Sequence, residues 1–279
     1  MNMKDLYLKT LNSPCTVETY DRGISDMLNY IGKPANEITK PELVEWTTTL
    51  KSSSSATQYV RIIAVKEFFR FLDEMGIIEE NPAKNLKTPK IHNKPKDSIT
   101  KEQALEMLNW GTYRDKAIVA MYLSTGLRVK ELVELKYEDY INGHGELRFK
   151  IKGGDFRTVK LNPDCIRYID TYITKERKNG CDKLFVSNRN TPMNPQSLNN
   201  TLKRLAKRAG IEEHITNHTL RSTFVTDITK NHGIYMAQVA VGHKNISTTR
   251  RYVRGLESDV MDMMGGLSLW YWRWFQLLL

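Results

Sequence analysis

The chain has 279 residues, 40% hydrophobic and 27% charged, with a formal net charge of +10. That length allows roughly two domains of ordinary size, and the apolar share suffices for packed cores and excludes a wholly disordered chain. Cys15, Cys165 and Cys181 lie far apart with no Cys-x-x-Cys pair, which argues against a disulfide framework and a zinc site.

No N-terminal stretch combines a basic start, an apolar run and a small-residue cleavage site. The longest apolar-rich run, 267–279, falls short of the roughly 20 residues needed to span a bilayer and is interrupted by Arg273. A soluble, cytoplasmic protein with no membrane partner is expected. Among the six histidines only His214 and His218 stand at metal-ligand spacing, without a Glu after His214, so no metal is expected. Residues 1–95 carry 13 basic and 12 acidic side chains, whereas 96–279 carry 29 and 20. The basic surplus therefore lies in the second part, and a polyanion is its natural partner. A merely soluble basic surface is the bland alternative.

In chain order, Thr16 to Ile31 places Tyr20, Ile24, Met27, Leu28 and Ile31 at helical spacing, with Gly32 as the stop. Pro41 to Leu50 is a second helix entered through Thr39. After the polar run Ser52–Ser55, Ala56 to Met75 forms a long helix with Val60, Ile63, Ala64, Phe68, Phe71 and Leu72 on one face and Gly76 at its end. Residues 1–87 thus form a helical module. Residues 88–98, with two prolines and Lys90, Lys94 and Lys96, form an extended basic linker able to lie along a phosphate backbone or to act as a solvated hinge.

The second domain, 99–279, opens with Thr100 as N-cap and Gln103 at the third helical position. A helix from Arg114 to Ser124 stops at Gly126, and another starts near Arg128 and runs to about Leu135. The period then changes to two: Leu147, Phe149 and Ile151 face one way, and Arg148, Lys150 and Lys152 the other. Gly153-Gly154-Asp155 turns the chain, and Val159 and Leu161 return. Helices follow over Cys165 to Lys178, Pro195 to Ala209 with Asn194 as N-cap, His218 to Thr229, and Ile234 to Val241. The fold class is mainly α with a small antiparallel β-sheet, in two domains.

Arg128 follows a helix stop and restart, where its guanidinium and the free backbone N–H groups could serve one phosphate. The bland reading is a surface arginine paired with Glu131 or Glu134. His218 and Arg221, three apart on a helix, share a face, and the apolar Leu220, Phe224 and Val225 suggest packing on the other side, which leaves the pair facing a cleft. Gly242-His243 reads equally as a helix stop with a histidine offsetting the helix dipole. Tyr252, nine residues after His243, would ordinarily be a core tyrosine. Each signal is weak alone; their joint occurrence in this order is not.

These residues resemble the tyrosine recombinase (phage integrase) family, and more closely its Xer-like members, over almost the whole chain. The resemblance implies a helical core-binding domain and a catalytic domain whose Tyr252 attacks a scissile phosphate and forms a 3′-phosphotyrosine. It implies His218 as general base, Arg128 and Arg221 gripping the non-bridging oxygens, Lys152 protonating the leaving 5′-oxygen, and His243 donating a further hydrogen bond. Lys150 remains an alternative to Lys152. Lys90, Lys94, Lys96, Arg157, Arg250 and Arg251 are expected on DNA. The partners implied are double-stranded DNA, a homotetramer on paired sites and accessory DNA-binding proteins, with neither ATP nor any cofactor. Arg254 departs from the family, many of whose members have a histidine two residues after the tyrosine. The aromatic tail with Trp270, Tyr271, Trp272, Trp274 and Phe275 needs burial, against a neighbouring protomer, its own core or a membrane surface. Rival readings are a topoisomerase sharing the tyrosine chemistry and a DNA-binding accessory protein that does not cut.

Overall fold

The computed structural model describes residues 2–91, 97–151, 154–242 and 249. The chain divides into two units, Met1–Asn93 and Lys94–Leu279. In the first, α1 (Met3–Lys9), α2 (Pro14–Ile31), α3 (Lys40–Thr49) and α4 (Ser55–Glu74) surround a core that includes Ile24, Met27, Leu43, Trp46, Phe68 and Leu72. Helices α2 and α4 pack closely at Gly23, where any Cβ would stand 3.3 Å from both Ala64 Cβ and Arg61 Cα. Asp26 on α2 accepts from the Trp46 indole and from Arg61, both at 3.3 Å, and so joins three of the helices.

The stop at Gly32 is as expected, with its backbone left-handed (φ 69°). Thr39 and Glu42 form a reciprocal capping box that starts α3. The buried face of α4 differs from the expected one. Ile62, Val65 and Phe69 join Ala64, Phe68 and Leu72 in the core, whereas Val60 is exposed and Ile63 and Phe71 are half-buried. Apolar residues wrap more than half of this helix, so their spacing alone does not fix its inward direction.

The second unit is built around α6 (Tyr113–Thr125), whose residues Ala117 to Tyr122 are all buried. Helix α6 packs against α9 (Pro163–Lys175) and α11 (Asn217–Val241), with α5 (Lys101–Asn109), α7 (Val129–Glu134), α8 (Tyr137–Asn142) and α10 (Pro195–Arg208) around it. The expected capping box at Thr100 and Gln103 starts α5, and Asn194 caps α10. Helix α9 ends earlier than expected, because Arg177 turns back to donate to the carbonyls of Cys181, Lys183 and Leu184 and fixes the following loop.

The hairpin pairs β1 (Glu146–Lys150) with β2 (Phe156–Lys160) antiparallel, setting Leu147 opposite Val159 and Phe149 opposite Arg157. Leu147 and Phe149 are buried and Arg148 and Lys150 exposed, as the alternation requires. Helix α11 joins the two expected helices end to end, broken only at Gly233 (φ 82°, ψ 164°). Beyond the break, Ala237 and Val241 turn inward, leaving Tyr235, Met236 and Val239 exposed.

Candidate active site

The site grows from the end of α6. Gly126 closes that helix with φ 58°, and its N–H donates to the Tyr122 carbonyl at 2.8 Å. The Phe224 ring lies against it so closely that a Cβ there would come within 2.3 Å of Cδ1. Leu127 is buried, and Arg128 follows as the N-cap of α7. Helix stop, buried anchor and restart together aim the arginine outward.

Glu131 holds Arg128 in place. Its carboxylate accepts from the Arg128 backbone N–H at 2.7 Å and from Nη1 at 2.9 Å. The pair that the bland reading anticipated is therefore real, and it is asymmetric: the glutamate side chain is 5% exposed, the arginine 35%. No described residue accepts from Arg128 Nη2, so pairing with Glu131 orients the guanidinium without exhausting its donors.

Arg221 reaches the same turn from α11. It is 4% exposed. Its Nη1 donates to the Gly126 carbonyl, and Nη2 donates to the Val241 carbonyl at 3.1 Å. One guanidinium thus ties the turn before Arg128 to the end of α11, just ahead of Gly242. His218 is exposed, at the second position of α11 and one helical turn before Arg221. The start of α11 is held by Asn217, which accepts from the Tyr122 hydroxyl at 2.7 Å and donates to Asn199 Oδ1 at 2.6 Å. Burial pushes the Tyr122 phenol well above its ordinary pKa, so it remains the donor in this link.

Arg157 is the third guanidinium at this place. On the inward register of β2, its head lies 5.8 Å from the Phe149 ring centroid, and Nη2 donates to the Thr125 carbonyl at 3.4 Å. Burial lowers its pKa, Arg128 lowers it further, and Glu131 opposes the shift. Three arginines around one turn, with one carboxylate among them, give a local excess of positive charge suited to an anion.

The described residues thus bring together Arg128, Arg221 and Arg157, with His218 one turn along the same helix as Arg221. Lys152, His243 and Tyr252 lie outside the described residues, as do Lys94, Lys96, Arg250, Arg251 and the aromatic tail. Lys150 is exposed on β1, and Lys90 is exposed at the end of the first unit. No group of three or more His, Cys, Asp or Glu side chains placed to hold a metal occurs among the described residues, His214 and His218 included. No helix among them is long and apolar enough to cross a membrane. Sequence reasoning missed Tyr122, Asn217 and the inward course of Arg157. Only the last left a signal, since alternation places Arg157 on the same face as Val159.

The family model described as "Phage integrase family" matches residues 97–258, more than half of the chain. The chain belongs to the phage integrase family. A second model, the integrase N-terminal SAM-like domain, matches residues 3–76 of this integrase. Among curated relatives, the tyrosine recombinase XerD of Oceanobacillus iheyensis is 28% identical over 267 residues, covering 89% of this chain and 90% of the relative. The XerD of Shewanella oneidensis is 31% identical over 221 residues, covering 74% and 73%. Among solved structures, XerA recombinase matches with a TM-score of 0.56 at 27% identity, covering 96% of each chain. A lambda integrase dimer bound to a core site gives a TM-score of 0.75 at 20% identity, covering 90% of this chain and 93% of that one. The last likeness establishes shared fold.

Proposed function

We propose that this integrase is a site-specific DNA recombinase that breaks and rejoins strands through Tyr252 without metal or ATP. The observation that carries the reading is the convergence of Arg128 and Arg221 on the Gly126 turn, with His218 one helical turn from Arg221. Two guanidinia offer paired donors for the two non-bridging oxygens of a phosphodiester and offset charge that builds on phosphorus. Tyr252 Oη forms a bond to phosphorus as the bond from phosphorus to the 5′-oxygen breaks. The phenol proton passes to His218, and Lys152 gives a proton to the departing oxygen, leaving a 3′-phosphotyrosine and a 5′-hydroxyl. Ester is exchanged for ester, so the reverse attack by a 5′-hydroxyl reseals a strand. His243 adds a hydrogen bond to the phosphate.

Lys90, Lys94, Lys96, Arg250 and Arg251 are assigned to the DNA backbone, and both the helical module of residues 1–87 and the domain beginning at 99 are assigned to the duplex. Solved relatives include a lambda integrase tetramer bound to a Holliday junction and XerH bound to its difH substrate. By analogy, four copies assemble here on two duplexes in the cytoplasm, with accessory DNA-binding proteins setting direction.

The test compares wild-type protein with Tyr252→Phe on sheared DNA from the source organism, in chelator and without ATP, and sequences the DNA that stays attached after denaturation. Adducts at a recurring sequence, formed only by the wild type, support the proposal. Scattered adducts favour a topoisomerase, and DNA binding without adducts favours an accessory protein. Binding should weaken steeply as salt rises, because backbone contacts release counterions.

A further inference from the structure

Arg157 is held in a way that its bonds do not justify. Its head is half-buried against Phe149, its one hydrogen bond among the described residues is the 3.4 Å contact to Thr125, and no described residue accepts from its buried Nη1. A guanidinium arm shut away from water without an acceptor is unfavourable for folding. An apolar side chain of the same length would fill this place at least as well. The placement is nonetheless specific. The residue sits on β2, the return strand of the hairpin between whose strands Lys152 falls in the sequence. It donates to the carbonyl immediately before the one that receives Arg221, three residues ahead of Arg128. Its Cδ stands 3.9 Å from where a Cβ on Gly242 would be, beside the corner that leads to His243.

We propose that Arg157 is a positioning residue that ties the lysine hairpin to the Thr125–Arg128 turn and the Gly242 corner, so that leaving-group protonation and phosphate grip are aimed at the same phosphodiester. This rests on the recombinase reading and on the lysine as general acid. Without the tie, β2 still pairs with β1 through its backbone, but no side chain of β2 links that pair to the Thr125 carbonyl. Misplacing a catalytic group by about 1 Å costs on the order of 100-fold in rate. The effect should fall on the proton delivered to the leaving oxygen and leave the phosphate grip largely intact.

The test uses Arg157→Met, which keeps the stem and removes the charged head, on duplexes carrying the sequence recovered with the covalent adducts. One duplex is ordinary; in the other, sulfur replaces the bridging 5′-oxygen at the cleaved phosphate. A thiol has a pKa near ~8.5, so the sulfur leaves without needing a proton. Expected are a melting temperature equal to or above wild type, cleavage of the ordinary duplex slowed about 10- to 100-fold, and near-wild-type cleavage of the sulfur duplex. Hydrogen exchange of the 146–160 amides should quicken in the variant while the core of α6 is unchanged.

Lys152→Ala and Lys150→Ala run alongside. If the sulfur duplex rescues one of them but not Arg157→Met, the positioning proposal is overturned and the lysine reading stands. Rescue of neither lysine variant overturns the lysine reading, and the proposal with it. Arg157→Met that cleaves the ordinary duplex like wild type, or that loses stability along with activity, also overturns the positioning role.

Discussion

Replacing Gly126 by alanine tests how tightly the arginine turn is built. Two costs can be read from the structure. The backbone at this residue is left-handed, φ 58°, which costs a residue with a Cβ about 1–2 kcal/mol. The new methyl would also meet the Phe224 ring at 2.3 Å from Cδ1 and 2.9 Å from Cε1, and forcing an atom into packed surroundings costs about 1–3 kcal/mol. Together these give about 2–5 kcal/mol. For a domain of this size each kcal/mol is about 2–4 °C in Tm, so the shift should be on the order of 4–20 °C. Thermal unfolding of the full chain by circular dichroism reads it. The two costs separate in a Phe224→Ala background, where the steric part vanishes and the backbone part of about 1–2 kcal/mol remains. Gly126→Ala within about 0.5 kcal/mol of wild type, or an identical cost in both backgrounds, refutes the account of the turn. Because the Gly126 carbonyl receives Arg221, DNA cleavage should fall together with stability.

Three further outcomes follow from the same packing. Asp115 is fully buried, accepts from Arg204 at 2.6 Å and also lies 3.9 Å from the buried Arg114; Arg204→Leu should cost about 1–3 kcal/mol, short of the ~3–5 kcal/mol for a buried charge left with no partner, because Arg114 remains beside it. Asp115→Leu should cost more than Arg204→Leu, read by urea unfolding, because it also leaves the buried Arg114 without a carboxylate and the Thr112 N–H without its acceptor. Tyr122→Phe removes the buried donor to Asn217 and should cost about 1–2 kcal/mol, with a larger relative loss in strand cleavage than in DNA binding, since the start of α11 carries His218. Burial pushes the Cys165 thiol up to about 12, so at pH 8 it is almost wholly protonated, and peptide mass mapping should find it alkylated far more slowly than the exposed Cys15.

What the sequence made legible was local. Gly32 and Gly126 as helix stops, Thr39, Thr100 and Asn194 as caps, and the alternation of Leu147 and Phe149 are decided within a few residues. The structure agrees at each of them. What was not legible depends on partners far along the chain. Tyr122 meets Asn217 across 95 positions, and Arg221 meets Gly126 across the same number. No periodicity records such pairings. Helix α4 failed for a different reason: with apolar residues on most of its circumference, its neighbours choose the inward face. The resemblance supplied the motif residues, and the Arg128–Glu131 pair was one of two that spacing offered, but the burial of Arg221 could not be read from motif spacing.

The burial of Arg221 also bears on how such a protein would decay. A descendant that no longer exchanged strands would no longer need the chemistry of His218, which stands at the surface. It would still be held to Arg221, whose two arms close the carbonyls of Gly126 and Val241 inside the fold. Selection for folding alone would then preserve half of a His-x-x-Arg pair long after selection for chemistry had lapsed. In related sequences the exposed histidine is therefore the better witness to a working enzyme, and the buried arginine chiefly a witness to ancestry.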